Sequence, residues 1–352
     1  MTMKMGIIGY GGMAHWHKDV IEGRIKGLSI QGIWDIKEEA RDKARSEGLR
    51  VYDSQEELLN DDEITFVLIA TPNDVHAPIA IDTMCAGKHV VCEKPITVSS
   101  ELLEEMITVS EETGMFLTVH QNRRWDKDFC TLKRVLEDGT LGDVFRIESR
   151  VHGSRGISNT WRRVRAKGGG VLLDWGVHLF DQILLLKKGV RLQEVHARFN
   201  NVTTNDVEDG FIAFLTFEDG LQVIVEVGTS NFISLPRWYV LGNNGTAEIM
   251  DWDANGRIVC AKGASETDVV PVITPSGYTK TMAPRRDDTI CEMPLPVTES
   301  DIGEFYRNVM AVIEGKAEPL IHMDEVRDVV KLMEAVVQSA TRHMTIENPL
   351  GF

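Results

Sequence analysis

The sequence has few basic residues and no long apolar run, which argues against a nucleic-acid-binding protein and against a membrane protein. Its 352 residues include 38 Lys and Arg against 54 Asp and Glu, which gives a formal net charge of −16. An acidic surface repels phosphate backbones and anionic lipids, so we expect neither nucleic acid nor a membrane as a partner. The most apolar stretch, 171–186, contains three ionisable residues and is shorter than the about 20 apolar residues that a bilayer requires. We therefore predict no transmembrane helix.

Cysteine is also scarce. The five cysteines are an odd number and form no Cys-x-x-Cys pair. The amino terminus shows no basic segment followed by a long apolar run, so we expect no signal peptide. The sequence therefore predicts reduced thiols in a cytoplasmic protein.

Two patterns of apolar residues divide the chain. Up to residue 123, short and nearly continuous apolar strands alternate with helical segments, which predicts a parallel sheet covered on both faces. Beyond it, apolar runs separated by tight turns predict hairpins over 211–227 and 238–250 and thus an antiparallel sheet. Residues 261–300 are rich in Pro, Thr and Ser and are predicted to be irregular. We predict one domain over 1–123 and a second over 124–352.

A cluster of glycines follows the first predicted strand. Gly9, Gly11 and Gly12 come immediately before Met13, where a helix is predicted to begin. Glycines there allow a tight turn and a close approach to a pyrophosphate, and the helix directs its N–H groups at that anion. The alternative is a tight turn without a ligand.

Asp35 ends the second predicted strand, 26 residues after Gly9. A carboxylate at that place accepts hydrogen bonds from the adenosine ribose hydroxyls and repels a 2′-phosphate. The pair of features predicts NAD as cofactor and makes NADP less favoured. The alternative is that Asp35 only caps the following helix.

Lys94 lies in the segment CEKP (92–95), at the end of a predicted strand. Ligands of parallel sheets bind beyond the carboxyl ends of the strands, so Lys94 is expected to face the cofactor crevice. There it can orient a hydroxyl group or stabilise an oxyanion. Alone, the residue is equally compatible with a solvated lysine.

The segment 168–181 carries three ionisable residues in an apolar setting. Asp174, His178 and Asp181 are spaced by four and three positions, which in a helix puts them on one face. An imidazole suits a general base, and a carboxylate one turn away can orient it. The alternatives are a capping aspartate with a core histidine, or a metal site. We predict no metal, because the sequence shows no further ligand cluster nearby.

Four motifs together carry a resemblance that extends over nearly the whole chain. They are GYGGMA (9–14), IATPNDVH (69–76), CEKP (92–95) and GGGVLLDWGVHLFD (168–181). The chain resembles the glucose–fructose oxidoreductase/inositol dehydrogenase (Gfo/Idh/MocA) family. The resemblance implies an α/β protein with an amino-terminal Rossmann domain and a carboxyl-terminal α+β domain with a large, mostly antiparallel open sheet. It also implies a homodimer or homotetramer formed through that sheet.

The resemblance assigns roles position by position. It implies catalytic roles for Lys94, Asp174 and His178. Besides the glycine turn, Met13 and Asp35, it implies cofactor contacts at Ala70, Thr71, Asn73, His76, Glu93, Lys94, Gln121, Trp161 and Arg162. Substrate contacts are expected at Lys94, Asn122, Arg124, Trp161, Asp174 and His178. Solvated or salt-bridged side chains are the alternative for the residues that follow the last Rossmann strand.

These features predict an NAD-dependent oxidoreductase that transfers hydride between nicotinamide and a secondary alcohol or ketone of a sugar, an inositol-like polyol or a glycoside. One alternative is an enzyme of the same fold that cleaves or epimerises glycosides and recycles its NAD. A second alternative is a non-catalytic NAD-binding regulator. The presence of Lys94 with Asp174 and His178 argues against the regulator, which needs none of them.

Overall fold

The first part of the chain forms a parallel sheet. The computed structural model describes residues 2–263 and 269–351. The strands are β1 (Met3–Ile8), β2 (Leu28–Trp34), β3 (Phe66–Ile69), β4 (His89–Cys92) and β5 (Leu117–Val119). They pair in the order β2-β1-β3-β4-β5, and every pair is parallel. The parallel Rossmann sheet that the sequence predicts is confirmed.

Helices connect these strands. They are α1 (Gly12–Arg24), α2 (Glu38–Ser46), α3 (Gln55–Leu59), α4 (His76–Cys85) and α5 (Ser100–Thr113). Because all five strands run in one direction, their carboxyl ends meet at one edge of the sheet. Gly9, Asp35, Ala70, Glu93 and His120 lie within the first residues beyond those ends. The sheet therefore gathers segments that are far apart in the sequence.

The second sheet has nine strands. They are β6 (Val144–His152), β7 (Leu192–Asn200), β8 (Gly210–Phe217), β9 (Gln222–Gly228), β10 (Trp238–Gly242), β11 (Gly245–Ile249), β12 (Gly256–Ala261), β15 (Ile290–Pro294) and β16 (Ile346–Glu347). Their order is β15-β12-β11-β10-β6-β9-β8-β7-β16, and the β6–β9 pair is parallel while the others are antiparallel. Strands β13 (Val272–Thr274) and β14 (Gly277–Thr279) form a separate hairpin. The predicted large, mostly antiparallel sheet is confirmed.

Helices cover one face of the second sheet. They are α6 (Lys127–Glu137), α7 (Val177–Leu186) and α9 (Met323–Arg342), whereas α8 (Gly303–Ile313) packs against α1. Helix α9 packs on β7 and α7. On the other face, a row of side chains at neighbouring register positions crosses the sheet without being fully buried, namely His196, Phe214, Ile224, Glu148 and Tyr239. The stretch Arg165–Leu186 is apolar and long enough to cross a membrane by length and composition, but it is mostly buried inside the protein.

Several elements were not predicted. Strand β7, strand β12 and helix α3 are not predicted, because β7 interleaves apolar with charged residues and β12 and α3 are only six and five residues long. Residues 261–300 were predicted to be irregular, and this is wrong for the β13–β14 hairpin and for β15, which forms an edge of the large sheet. No residue of β15 is fully buried, so the apolar pattern is weak. Residues 264–268 of this stretch lie outside the described part of the chain.

A helix from the second part of the chain packs on the first part. Helix α8, from the far end of the chain, packs against α1, and the Tyr306 hydroxyl group hydrogen-bonds Nδ1 of His17. The amino-terminal layer thus includes a helix that follows the second sheet in sequence. The domain boundary at residues 123 and 124 stays a prediction.

Candidate active site

The glycine turn leaves space at the start of α1. Gly9 has a φ of +88°, and a Cβ there would lie 2.7 Å from the carbonyl oxygen of Ala70. A side chain at Gly11 or Gly12 would meet no atom of the described chain within 4 Å. Gly11 precedes the helix without a side-chain cap, so the first N–H groups of α1 remain available to an anion.

Asp35 is fixed beside this turn. Its Oδ2 accepts a 2.7 Å hydrogen bond from the backbone N–H of Tyr10, and its Oδ1 accepts one of 2.7 Å from that of Lys37. The carboxylate is thus held at the end of β2, next to the space above Gly11. Arg41 donates to the backbone oxygen of Asp35 over 2.7 Å. A cation and a carboxylate therefore share the place predicted to receive the adenosine ribose.

The loop after β3 connects the two halves of the site. Asn73 Nδ2 donates to the carbonyl oxygen of Gly168 over 2.8 Å. The imidazole of His76 is fully buried, and its nitrogens lie 2.8 Å and 3.0 Å from the carbonyl oxygens of Pro95 and Thr71. Both ring nitrogens of His76 face backbone carbonyl oxygens, and the neutral imidazole donates to one of them, so its predicted cofactor contact stays a prediction.

Glu93 is enclosed by histidines. Its Oε1 lies 2.7 Å from Nε2 of His17 and 2.8 Å from Nδ1 of His120, and its Oε2 accepts the Lys94 N–H. Burial alone would raise the pKa of Glu93, but the hydrogen bonds from His120 and His17 outweigh it and hold the pKa well below its usual value. Burial lowers the pKa of His17 to about 4. The carboxylate of Glu93 also fixes the backbone at Lys94, and its cofactor contact stays a prediction.

The His17–Glu93–His120 cluster is also compact enough for a metal ion, since its ligand atoms lie within 4.8 Å of one another. Both imidazoles, however, meet the same carboxylate oxygen at hydrogen-bond distance. Two neutral histidines that donate to one carboxylate produce this arrangement. We therefore interpret the cluster as a hydrogen-bond network.

Lys94 and Asp174 meet across the crevice. Lys94 Nζ donates to the backbone oxygen of Asp174 over 2.9 Å and to its Oδ1 over 3.1 Å, and Arg162 Nε donates to its Oδ2 over 3.1 Å. Burial opposes ionisation of Asp174, but the charges of Lys94 and Arg162 outweigh it and lower its pKa. The structure thus brings together three of the predicted site residues as two cations around one carboxylate.

Asp174 lies in a turn of π-helix, Leu172–Gly176, which leads into α7. The preceding Gly170 has a φ of +105°, and a Cβ there would come within 2.2 Å of the buried Glu208 carboxylate. The predicted single α-helical face over 174–181 is therefore wrong. The wider turn interrupts the α-helical spacing, as π-turns at functional sites commonly do.

His178 occupies the first turn of α7 and is buried, with 3% of its surface exposed. Burial, together with the charges of Lys94 and Arg123, lowers the pKa of His178 well below its usual value. Its Nδ1 is buried without a partner among the described residues. The imidazole is consequently neutral at pH 7 and retains a nitrogen that can accept a proton.

Asp181 and Arg124 form a separate, buried ion pair. Arg124 donates from Nη2 and Nε to the two oxygens of Asp181 over 2.6 Å and 2.8 Å, and from Nη1 to Glu325 over 2.8 Å. Arg124 was predicted to contact substrate, but its guanidinium is committed to these carboxylates, because α7 and α9 enclose it. We interpret these ion pairs as structural, and the substrate contact of Arg124 stays a prediction.

A cluster of tryptophans and arginines adjoins His178. Trp175 lies edge-on to His178, with ring centres 6.2 Å apart, and its indole is 5.9 Å from that of Trp252. The guanidinium of Arg123 lies over both indoles. Trp252, which follows β11, was not singled out from the sequence, because no local pattern links it to residues more than 70 positions away.

The other predicted residues fall around the same crevice. Arg162 stacks on Trp161, with 4.6 Å between the guanidinium carbon and the ring centre. Oxygens of Thr71, Gln121 and Asn122 are buried without partners among the described residues. Buried polar atoms normally have partners. These atoms, the open space at Gly11 and the uncapped start of α1 together fit a dinucleotide and a polar substrate.

Comparison with known proteins supports this arrangement. Residues 3–121 match the oxidoreductase family with an NAD-binding Rossmann fold, and residues 129–248 match the GFO/IDH/MocA C-terminal domain. An NAD-binding protein from Listeria innocua superposes with a TM-score of 0.94 at 42% identity, covering 98% of this chain and 99% of that one. The scyllo-inositol 2-dehydrogenase (NADP(+)) of Bacillus subtilis is 29% identical over 98% of this chain and 96% of its own.

A more distant relative is the inositol 2-dehydrogenase of Salmonella typhimurium, 24% identical over 71% of this chain and 74% of its own. Two models of one family thus match 3–121 and 129–248, and a relative at 42% identity covers 98% of the chain. The chain belongs to the Gfo/Idh/MocA family and is an NAD(P)-binding oxidoreductase.

Proposed function

We propose that the protein oxidises a secondary alcohol of a sugar, an inositol-like polyol or a glycoside, or reduces the corresponding ketone. The observation that carries this proposal is the meeting of Lys94, Asp174 and the neutral His178 beside the dinucleotide crevice. When bound, the nicotinamide accepts or supplies the hydride. The similarity to inositol dehydrogenases supports a polyol-like substrate.

The chain's own groups supply the proton chemistry. Because its pKa is depressed, His178 is neutral at pH 7 and takes the hydroxyl proton during oxidation. The ammonium group of Lys94 stabilises the developing alkoxide charge. Asp174 holds Lys94 and Arg162 at fixed positions through both of its oxygens. In the reverse direction, the imidazolium returns the proton to the alkoxide.

We propose NAD as the cofactor and NADP as the less favoured one. The support is the position of the Asp35 carboxylate beside the glycine turn, where it would repel a 2′-phosphate. Two observations point the other way, namely Arg41 next to Asp35 and the NADP named for the Bacillus subtilis relative. The ratio of kcat/KM for NAD and NADP tests the choice, and a clear NADP preference would contradict it.

The decisive experiment measures NADH formation with inositols, monosaccharides, glycosides and their keto forms. The proposal expects net, stoichiometric NADH with at least one alcohol. Conversion of a glycoside or an epimer without net NADH would instead identify an enzyme that recycles its cofactor. NAD binding by calorimetry with no conversion of any compound would favour a regulator.

We also propose a cytoplasmic homodimer or homotetramer that pairs through the uncovered face of the large sheet. Phe214 on that face is 46% exposed, and Ile224 lies beside it. An apolar centre with charged residues around it is typical of an interface between copies. Light scattering coupled to size exclusion tests this, with Phe214→Glu expected to shift the protein toward the monomer.

A further inference from the structure

We propose that the substrate carries a carboxylate, which Arg123 binds beside the reacting carbon. This inference rests on the proposed function and narrows its substrate class to sugar acids. It starts from the tryptophan–arginine cluster of Arg123, Trp175 and Trp252, which no part of the proposed hydride chemistry uses.

The guanidinium of Arg123 has one nitrogen that is hydrogen-bonded and another that is buried without a partner among the described residues. Its Nη1 donates to Asp126 over 2.8 Å. Its Nε is buried, and within residues 2–263 and 269–351 it has no hydrogen-bond partner. Nε and Nη2 together form the edge that binds a planar carboxylate through two parallel hydrogen bonds. A buried donor without a partner is costly, so this edge is suited to a ligand oxygen.

Two indoles fix that guanidinium. Its central carbon lies 4.4 Å from the ring centre of Trp175 and 4.7 Å from that of Trp252. Cation–π contacts of this kind hold the plane of an arginine, so little conformational freedom is lost when a ligand binds. Trp252 is 39% exposed, which leaves part of its ring for the apolar C–H face of a sugar.

The place of Arg123 is on the substrate side of the crevice. Trp175 packs edge-on against His178, and the charge of Arg123 contributes to the lowered pKa of that imidazole. The cofactor-facing elements, Gly9 and Asp35, lie instead at the start of α1 and the end of β2. A ligand group on Arg123 would therefore belong to the molecule that His178 deprotonates.

The charge of the neighbouring chain points in the same direction. Between residues 153 and 173 the sequence has five basic and no acidic residues, in a protein whose net charge is −16. Two contacts hold this basic segment over the site, Asn73 to Gly168 and Arg162 to Asp174. A basic rim on an acidic protein attracts an anionic substrate to the site.

Matched pairs of substrates test the proposal. We would measure kcat/KM, with NAD and with NADP, for glucose and glucuronate, and for galactose and galacturonate, with glucose 6-phosphate as a separate anion. The wild type is expected to favour the acid by about tenfold or more in at least one pair, the size expected of a charged hydrogen bond. Preference for the neutral member of both pairs, or for the phosphate, would overturn the proposal.

Two variants and a control locate the effect. Arg123→Gln should lower the acid-to-neutral ratio by about tenfold or more, and Arg123→Lys should recover little of it, because an ammonium cannot present two donors in one plane. Arg191→Gln is the control: it removes an exposed arginine that immediately precedes β7 and pairs with Glu218. The acid-to-neutral ratio of this variant should match that of the wild type. Equal loss on acid and neutral sugars in Arg123→Gln would contradict the assignment.

Binding separates this inference from the proposed function. Calorimetry would give the Kd of glucuronate, galacturonate and their neutral partners for the protein saturated with NADH. If no sugar is turned over but Arg123→Gln weakens acid binding selectively, the carboxylate site stands and the proposed reaction fails. If neutral sugars are turned over and neither acid binds more tightly than its partner, the reaction stands and the carboxylate site fails.

Discussion

Asp174 and Asp181 lie seven residues and about two helical turns apart in one segment, yet their surroundings differ. Asp174 is partly exposed and touches Lys94 and Arg162, which lower its pKa. Asp181 is 2% exposed and is bound through both oxygens by Arg124, and burial raises its pKa. The first carboxylate arranges cations at an open crevice, and the second closes a gap between helices.

The comparison shows that residue type and spacing do not separate a site from its support. Both carboxylates are ion-paired in an apolar helix. Of the two, only Asp174 pairs with a cation that borders space open to a ligand. It also lies near a nitrogen of His178 that has no partner among the described residues. A functional difference between the two ion pairs should therefore appear as activity in one and stability in the other.

The largest expected effect is on the chemistry beside Asp174. Lys94→Met and His178→Asn should each lower kcat by about 10²–10⁴-fold, the range found for general acid–base groups. The melting temperature of Lys94→Met should remain close to that of the wild type, because Lys94 borders the crevice, whereas that of His178→Asn should fall by a few degrees, because His178 is buried. Steady-state kinetics on the best alcohol measures the loss of kcat, and thermal unfolding measures the melting temperature. Turnover within a few-fold of the wild type would remove the catalytic role.

The second effect concerns the buried pair. Asp181→Asn should lower the free energy of unfolding by about 3–5 kcal/mol, because Arg124 keeps its charge in the core without a full partner. The kcat of the folded fraction should change little, since in the described part of the chain the hydrogen bonds of Asp181 are with Arg124. Urea unfolding measures the loss.

A matched variant and a double variant give the controls. Asp174→Asn should cost much less stability than Asp181→Asn, because water reaches that carboxylate. Arg124→Met combined with Asp181→Leu should restore a large part of the loss, since an apolar pair leaves no unpaired charge. Equal destabilisation by Asp174→Asn and Asp181→Asn would erase the contrast between the two pairs.

Much of this contrast lies beyond sequence reasoning. Gly9, Asp35 and Lys94 were predictable, because a tight turn, a strand end and a parallel sheet dictate where they meet. The partner of Arg124 was not, since it lies 57 residues away and depends on how α7 packs. The π-turn at Asp174 was likewise hidden, because its sequence reads as an ordinary helix. Trp252 joins the site only through the register of the large sheet.

A third prediction extends the comparison to the histidines. The buried His17 has a pKa of about 4, and burial also lowers the pKa values of His76 and His178. The unfolded chain then binds more protons than the folded one below pH 6.5, so stability is fully present above that pH and is lost as the pH falls toward 4. For His17 alone the loss approaches about 3 kcal/mol.

Urea unfolding between pH 4 and pH 8 tests this dependence. His17→Gln should flatten the curve between pH 6.5 and pH 4, although its stability at pH 7 is lower because Glu93 loses a donor. His343→Gln replaces an exposed histidine at the end of α9 and should leave the slope unchanged. A wild-type stability that is constant from pH 8 to pH 4 would contradict the neutral, buried state of these imidazoles.

The smallest effect concerns Asp35, a third carboxylate, which accepts hydrogen bonds from two backbone N–H groups and forms no ion pair within 2–263 and 269–351. Asp35→Ala removes the acceptor of the ribose hydroxyls. The hydrogen bonds lost are worth about 1.5–3 kcal/mol, so kcat/KM with NAD should fall roughly 10- to 100-fold. The value with NADP should fall less or rise, because the repulsion of the 2′-phosphate disappears. Arg41→Gln is the matched control and should reduce use of NADP more than use of NAD. Equal losses with both cofactors in Asp35→Ala would mean that Asp35 shapes the glycine turn through Tyr10 and does not bind the ribose hydroxyls. Asp35 would then belong with Asp181 among the structural carboxylates.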